Sequence, residues 1–159
     1  MSITSFHKRT FTLRSFGQSL TDLLAHLDDL AAVVKNRRIE RAFGEKIMLA
    51  VTQVNDCRYC SFFHSHQALR AGVTEVEIAQ LLKGELGDFP PEQAVALAFA
   101  QHYAEQAGHP DADAWQKLVD FYGPQAAGEI QVYIRMITFG NLLGNTFDRG
   151  LYRMRWQIR

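Results

Sequence analysis

Prolines are scarce in this chain, and their scarcity favours long uninterrupted helices. All four lie in the second half, at positions 90, 91, 110 and 124. Between the breaks, apolar residues recur at three- and four-residue spacing, which is the pattern of an amphipathic α-helix. No stretch shows the period-two alternation of a half-buried strand. The sequence therefore predicts an all-α fold, a single-domain helical bundle of about seven helices.

Apolar spacing and end signals place the individual helices. Their rough bounds are about 20–34, 40–54, 57–71, a short helix ending near 84, 91–107, 111–122 and a long helix after 124. The second carries apolar residues on most sides, which predicts that it is buried.

Three local signals support these bounds. Gly17-Gln18-Ser19 is interpreted as a break that supplies the start of the first helix. Asn55-Asp56 offers cap side chains for the third helix, and Thr74 with Glu77 has the spacing of a capping box for the fourth.

The size of the chain indicates one domain with a real core. It has 159 residues, 47% of them hydrophobic and 21% charged, which is ordinary globular composition. A chain of this size buries roughly 70% of its unfolded surface, so neither a metal nor a disulfide is needed to stabilise it. We expect a basic N-terminal arm over residues 1–18 and a helical domain over 19–159.

Charge is balanced overall, with 17 Lys and Arg against 17 Asp and Glu, which argues against a nucleic-acid binder. The N-terminus is basic, with Lys8, Arg9 and Arg14. This segment is interpreted either as solvated or as docking on acidic neighbouring subunits. No apolar run approaches the roughly 18 residues of a membrane span, and no secretory segment is visible, so we expect a cytoplasmic protein without membrane contact.

Three residues that can carry redox chemistry share one face of the third predicted helix. At 100° per residue, Cys57, Cys60 and His64 project within about a 60° sector. Two thiols three residues apart can close a disulfide, and an imidazole four residues further can exchange a proton with the second thiol. The pattern predicts a two-electron redox centre.

Nearby charges have opposing effects on the ionisation of the two thiols. A helix N-terminus favours the thiolate, as does Arg58 where its guanidinium approaches, while Asp56 opposes it. We expect the pKa of a thiol in this pair to lie below its usual value.

A carboxylate upstream completes the candidate site. Glu45 lies on the buried second helix, where an isolated carboxylate is costly and needs a partner. His64 is the natural partner, and their contact would orient the imidazole as a proton relay to the thiols. Thr52, seven residues after Glu45, is expected to line the same face.

The spacing Glu45-x11-Cys57-x-x-Cys60-x-x-x-His64 resembles the alkylhydroperoxidase D-like / carboxymuconolactone decarboxylase family over about residues 40–82. The resemblance implies an all-α domain assembled as a homo-oligomer, a trimer or hexamer. It also implies a thiol-dependent peroxidase in which Cys60 attacks a hydroperoxide, Cys57 resolves the product and an external dithiol reduces the disulfide, without metal or organic cofactor.

Two points qualify the resemblance. Peroxidase members have His just before the second cysteine, whereas this chain has Tyr59, which cannot serve as a base near neutral pH but can donate a hydrogen bond. The helix dipole favours Cys57 as the attacking thiol, because it is nearer the N-terminus. We follow the resemblance for Cys60, which is four residues from His64.

Four alternatives stay open. The cysteines can be structural buried thiols, or zinc ligands together with His64 and Glu45. The chain can be a carboxymuconolactone-type decarboxylase, although that branch typically lacks the cysteine pair, or a non-enzymatic redox-sensing or assembly protein.

Several further polar residues are placed outside the site. His66 and His102 are interpreted as surface or structural histidines. Asn141, Asn145 and Asp148 are expected on a solvated helix face or against another subunit.

Overall fold

The computed structural model describes residues 7–25 and 38–157 of the chain. Within these ranges all regular structure is helical, which confirms the predicted fold class, with six helices where about seven were expected. Their bounds are α1 Leu13–Ala25, α2 Arg41–Asn55, α3 Arg58–Arg70, α4 Glu75–Lys83, α5 Pro91–Glu105 and α6 Ala112–Gln157.

Helix α2 is the centre of the bundle. Residues 44–52 are buried without interruption, and the helix contacts α3, α4, α5 and α6. Its predicted burial is therefore confirmed. The core around it consists of fully buried aliphatic side chains from three other helices, including Leu81, Leu97, Ile130 and Ile134. Burial of the apolar residues of α2 therefore also buries the polar side chains on the same helix.

The predicted signals at α4 and α5 are confirmed. Thr74 and Glu77 form a reciprocal capping box, and Gly84 ends α4 in the left-handed conformation. Pro91 occupies the first turn of α5, where its missing N–H leaves no hydrogen bond unmade.

The predicted start of the first helix is wrong. Helix α1 begins at Leu13 and runs through the supposed break at 17–19, so the expected boundary between residues 18 and 19 falls inside it. Thr12 and Ser15 cap the helix reciprocally, the Ser15 N–H donating to Thr12 Oγ1 at 3.1 Å and the Thr12 N–H to Ser15 Oγ at 2.9 Å. The remainder of the predicted helix, from 26 to 34, lies outside the described residues.

The predicted break between the last two helices is present, since α6 consists of two helical segments joined at Gly123, whose backbone is not helical. Gly123 has φ 75° and ψ 161°, and Pro124 restarts the helix. No helix in the described part of the chain combines the length and the apolarity needed to cross a membrane.

The basic N-terminal segment packs on its own chain. Lys8 Nζ lies 3.3 Å from Asp56 and 3.8 Å from Asp148, and its side chain is 22% exposed. Arg9 donates to the carbonyl of Glu105 at 2.8 Å. Both residues thus find partners within the subunit, and Arg9 is also exposed to solvent.

A buried cation ties α4 to the central helix. The side chain of Lys46 on α2 is 9% exposed, and its ammonium donates to Glu77 at 2.5 Å and to Gln93 at 3.0 Å. The hydrogen bond from Lys46, aided by those from Thr74, lowers the pKa of Glu77 to about 2.

This depressed pKa predicts an acid-sensitive contribution to stability. The ionised Glu77 stabilises the fold above its unfolded pKa of 4.5, and the contribution is lost as the pH falls toward about 2. Glu77→Gln is therefore expected to lower the free energy of unfolding near pH 7, with a gap to wild type that closes between about pH 5 and pH 2.

Urea denaturation over this pH range measures the gap. Glu75→Gln, an exposed carboxylate in the same helical turn, is the control and should show no such pH-dependent gap. A gap for Glu77→Gln that stays constant with pH would contradict the assignment.

Candidate active site

Cys57 is the N-cap of α3, at a tight junction with α2. Asp56 adopts the left-handed conformation, with φ 49°, and ends α2. The sulfur of Cys57 then accepts a hydrogen bond from the N–H of Cys60 at 3.3 Å. The prediction that Asn55 or Asp56 caps the start of α3 is wrong, because Asp56 ends α2 and Cys57 is the N-cap of α3. A sulfur, not a carboxylate, stands at the N-terminus of α3, where partial positive charge favours a thiolate.

The two cysteines form a disulfide, with their Cα atoms 5.3 Å apart. Cys57 is fully buried, whereas Cys60 is only half-buried and faces a pocket. The sulfurs therefore differ in access: a molecule arriving from the pocket meets Cys60 first.

The predicted contact between Glu45 and His64 is present. His64 Nδ1 lies 2.8 Å from a carboxylate oxygen of Glu45, with the two side chains 15% and 9% exposed. A carboxylate partner assigns the proton to Nδ1, which leaves Nε2 as the basic nitrogen. The imidazole is thus oriented by a buried group on α2 while it lines the pocket that contains Cys60.

The pocket is a cavity of about 610 Å³ between α2, α3 and α6. Cys60 and His64 are its reactive groups. Most of the remaining wall is apolar and comprises Met48, Phe63, Met136, Ile137, Leu143 and Phe147, with Gly140 and Gly144. Among the described residues, no Lys, Arg, Asp or Glu lines it. An apolar molecule fits this wall, whereas a carboxylate would find no cation to replace its hydration.

Tyr59 lies at the pocket rim, where it is 40% exposed. Its hydroxyl accepts a hydrogen bond from Arg58 at 2.7 Å, and its ring packs edge-on against Phe147. Arg58 also pairs with Asp148 at 2.6 Å. The guanidinium of Arg58 is thus held by a hydrogen bond to Tyr59 and an ion pair with Asp148.

Behind the disulfide lies a row of buried amide and hydroxyl groups. Thr52 is fully buried, and its Oγ1 accepts from Asn141 Nδ2 at 3.1 Å. Asn141 in turn accepts from Asn55 Nδ2 at 3.2 Å, and Asn145 donates to the carbonyl of Asn55 at 2.7 Å. Thr52 therefore bonds to α6 and has no hydrogen bond to Glu45 or His64.

The expected positions of Asn141 and Asn145 are wrong. They are 0% and 1% exposed, in the interior and not on a solvated or intersubunit face. A signal was visible in the sequence: two amides four residues apart lie on one helix face, with Gly144 beside them, in an otherwise apolar segment. Poor helix formers on a buried face indicate a packing or hydrogen-bonding requirement.

His66 and His102 lie outside this pocket. His66 bonds the carbonyl of Phe62 at 2.9 Å on the surface, and His102 pairs with Asp111 at 2.8 Å. The residues of the zinc alternative are bound to one another, Cys57 to Cys60 and Glu45 to His64. Over residues 7–25 and 38–157, no group of three or more His, Cys, Asp and Glu side chains has a metal-binding arrangement.

Comparison with known proteins places this arrangement in a family. The sequence model of the carboxymuconolactone decarboxylase family matches residues 21–102, the segment that contains Glu45, both cysteines and His64. The chain belongs to this family. The all-α fold and the Cys57–Cys60 disulfide agree with the alkylhydroperoxidase-like members of the carboxymuconolactone decarboxylase family, which includes enzymes.

A curated protein is similar to this chain over part of its length. An uncharacterized protein, YdfG of Bacillus subtilis (strain 168), is 33% identical over 75 residues, which are 46% of this chain and 51% of that protein. The match thus spans about half the length of the curated relative.

The difference in access between the sulfurs predicts their reactivity after reduction. Cys60 is expected to react with iodoacetamide faster than Cys57, because Cys57 has no exposed surface although it stands nearer the helix N-terminus. Pulse alkylation of the dithiol form followed by peptide mass spectrometry measures both rates. Equal rates, or faster labelling of Cys57, would show that the dipole outweighs access.

Proposed function

We propose that this protein is a thiol-dependent peroxidase that reduces organic hydroperoxides through a cycle between the Cys57/Cys60 dithiol and its disulfide. One observation carries the proposal: Cys60 and His64 line the same apolar pocket, while buried Glu45 holds His64 through Nδ1. A nucleophile, a base and an orienting carboxylate are the parts that an activated thiol needs.

The first step oxidises Cys60. Nε2 of His64 takes the thiol proton, directly or through water, and the Cys60 thiolate attacks the terminal oxygen of the hydroperoxide. An S–O bond forms and the O–O bond breaks. The departing alkoxide takes a proton from the imidazolium to give the alcohol, and Cys60 becomes a sulfenic acid. Glu45 stabilises the imidazolium between the two proton transfers.

The second step forms the disulfide found in the structure. The Cys57 thiolate attacks the sulfur of the sulfenic acid, the S–S bond forms, and the oxygen leaves as water after protonation. Its position as N-cap of α3 favours the thiolate that this step requires. An external dithiol then reduces the disulfide by two exchange reactions and is itself oxidised to a disulfide.

Tyr59 plays a supporting part in this proposal. It stands where peroxidase members have a histidine, and its hydroxyl accepts a bond from Arg58 at the pocket rim. Without a second base between the cysteines, the proton transfers fall on His64 alone.

The pocket favours an apolar substrate body over a charged one. Its aliphatic and aromatic wall can bury an alkyl or aryl group, which hydrogen peroxide lacks. The same wall speaks against carboxymuconolactone-type decarboxylation, because a carboxylic acid substrate would find no Lys or Arg among the described lining residues.

We also propose that the chain assembles as a homo-oligomer, a trimer or hexamer. Large apolar side chains that line the pocket are exposed at its mouth: Phe63 is 55%, Leu143 49% and Phe147 61% exposed. Contiguous exposed apolar surface marks an interaction site. Light scattering coupled to size-exclusion chromatography is expected to give three or six chains, and a monomeric mass would contradict this assembly.

Steady-state consumption of cumene hydroperoxide with a dithiol reductant tests the peroxidase. Cys60→Ser is expected to abolish consumption, and Cys57→Ser to limit it to one turnover per chain because the sulfenic acid is no longer resolved. His64→Ala is expected to lower kcat/KM by about 10²–10⁴-fold through loss of the base. Glu45→Gln should reduce it less, since the base is kept but not its charge partner.

His66→Ala is the matched control, because it removes an exposed imidazole two residues from His64 and should leave the rate near that of wild type. Cumene hydroperoxide should have a higher kcat/KM than hydrogen peroxide. Absence of consumption by the wild-type protein would overturn the proposal and favour a non-enzymatic redox-sensing or assembly role.

A further inference from the structure

We propose that Gly144 is a positioning residue for the redox pair. In the disulfide, the Cys57 sulfur occupies the space that a side chain at residue 144 would fill. The size of residue 144 therefore sets the equilibrium between the disulfide and the dithiol. The inference rests on the proposed function only in taking the pair to cycle between these two states.

The close approach of α6 to the disulfide occurs at this residue. A Cβ built on Gly144 would lie 2.9 Å from Cys57 Sγ and 3.7 Å from Cys60 Sγ. The first distance is below van der Waals contact, so an alanine requires the sulfur or the helix to move. Gly140 and Gly150, on the same helix, have no neighbouring atom within 4 Å of a built Cβ. The requirement for glycine is therefore local to the sulfurs.

Helix α6 is not free to retreat from the disulfide. Asn141 and Asn145 flank Gly144 on the same helix face and are hydrogen-bonded to Thr52 and Asn55 of α2. All four groups are buried, so moving α6 away would leave buried donors and acceptors without partners. An added methyl group at 144 consequently presses on Cys57, whose backbone is held at the junction between α2 and α3.

The two redox states respond differently to this pressure. In the disulfide, Cys57 Sγ is bonded to Cys60 Sγ across the first turn of α3 and cannot turn aside without straining that bridge. In the dithiol, the Cys57 thiol can rotate about its Cα–Cβ bond to another staggered position. Since the disulfide plus two electrons and two protons gives the two thiols, a methyl group at 144 disfavours the oxidised side of this equilibrium.

The expected effect is a shift of the thiol–disulfide equilibrium toward the dithiol. Wild type, Gly144→Ala and Gly150→Ala are equilibrated in mixtures of reduced and oxidised dithiothreitol, quenched by alkylation and quantified by mass spectrometry. For Gly144→Ala the midpoint ratio of reduced to oxidised dithiothreitol should fall roughly tenfold or more, about 30 mV toward a more oxidising potential. Gly150→Ala should coincide with wild type.

A Gly144→Ala midpoint equal to that of wild type would overturn the proposal. The measurement uses no peroxide, so its outcome is independent of whether the protein is a peroxidase. Conversely, if the protein consumes no peroxide, the measured midpoint still tests whether residue 144 sets the thiol–disulfide equilibrium.

A second comparison covers the case in which Gly144→Ala folds poorly. In a Cys57→Ala background the sulfur is absent, and adding Gly144→Ala should not lower the melting temperature, because alanine is the better helix former. In the oxidised Cys57-containing protein the same substitution should lower it. Equal losses in both backgrounds would show that the sulfur is not what the methyl group meets, and would overturn the proposal.

Discussion

The packing of α6 against the buried helix α2 is the constraint on which the rest of the site depends. Aliphatic burial brings the helices together, but hydrogen bonds from Asn141 and Asn145 decide their register at the end of α2. Apolar packing is non-directional, whereas a buried amide tolerates few positions of its partner. Cys57, at the junction between α2 and α3, is thereby held against the backbone of α6 at Gly144, which has no side chain.

The same central helix explains how a carboxylate can serve the pocket. Glu45 is buried because its helix is buried, and the imidazole of His64 gives it the partner that burial requires. Their contact joins α2 to α3 at one turn's distance from the disulfide. One hydrogen bond thus gives the buried carboxylate its partner and orients the imidazole that lines the pocket.

Sequence reasoning placed Glu45, Cys57, Cys60 and His64 together because local periodicity decides most of that geometry. Cys60 and His64 lie on α3, where 100° per residue sets their relative directions, and Cys57 caps the same helix three residues before Cys60. It failed at the cap of α3, because Asn55-Asp56 suits both a helix end and a helix start. It also failed for Asn141 and Asn145, since nothing local shows which distant helix accepts their hydrogen bonds.

The sequence by itself determined the helical class, the burial of α2 and the face shared by the reactive residues, because these follow from periods of a few residues. Only the tertiary structure decided which sulfur meets the pocket, which groups lie behind the disulfide and why residue 144 is glycine. Those properties depend on α6, about 90 residues along the chain from α2. Contacts at such separation arise from packing of whole helices, and no local pattern encodes their distances.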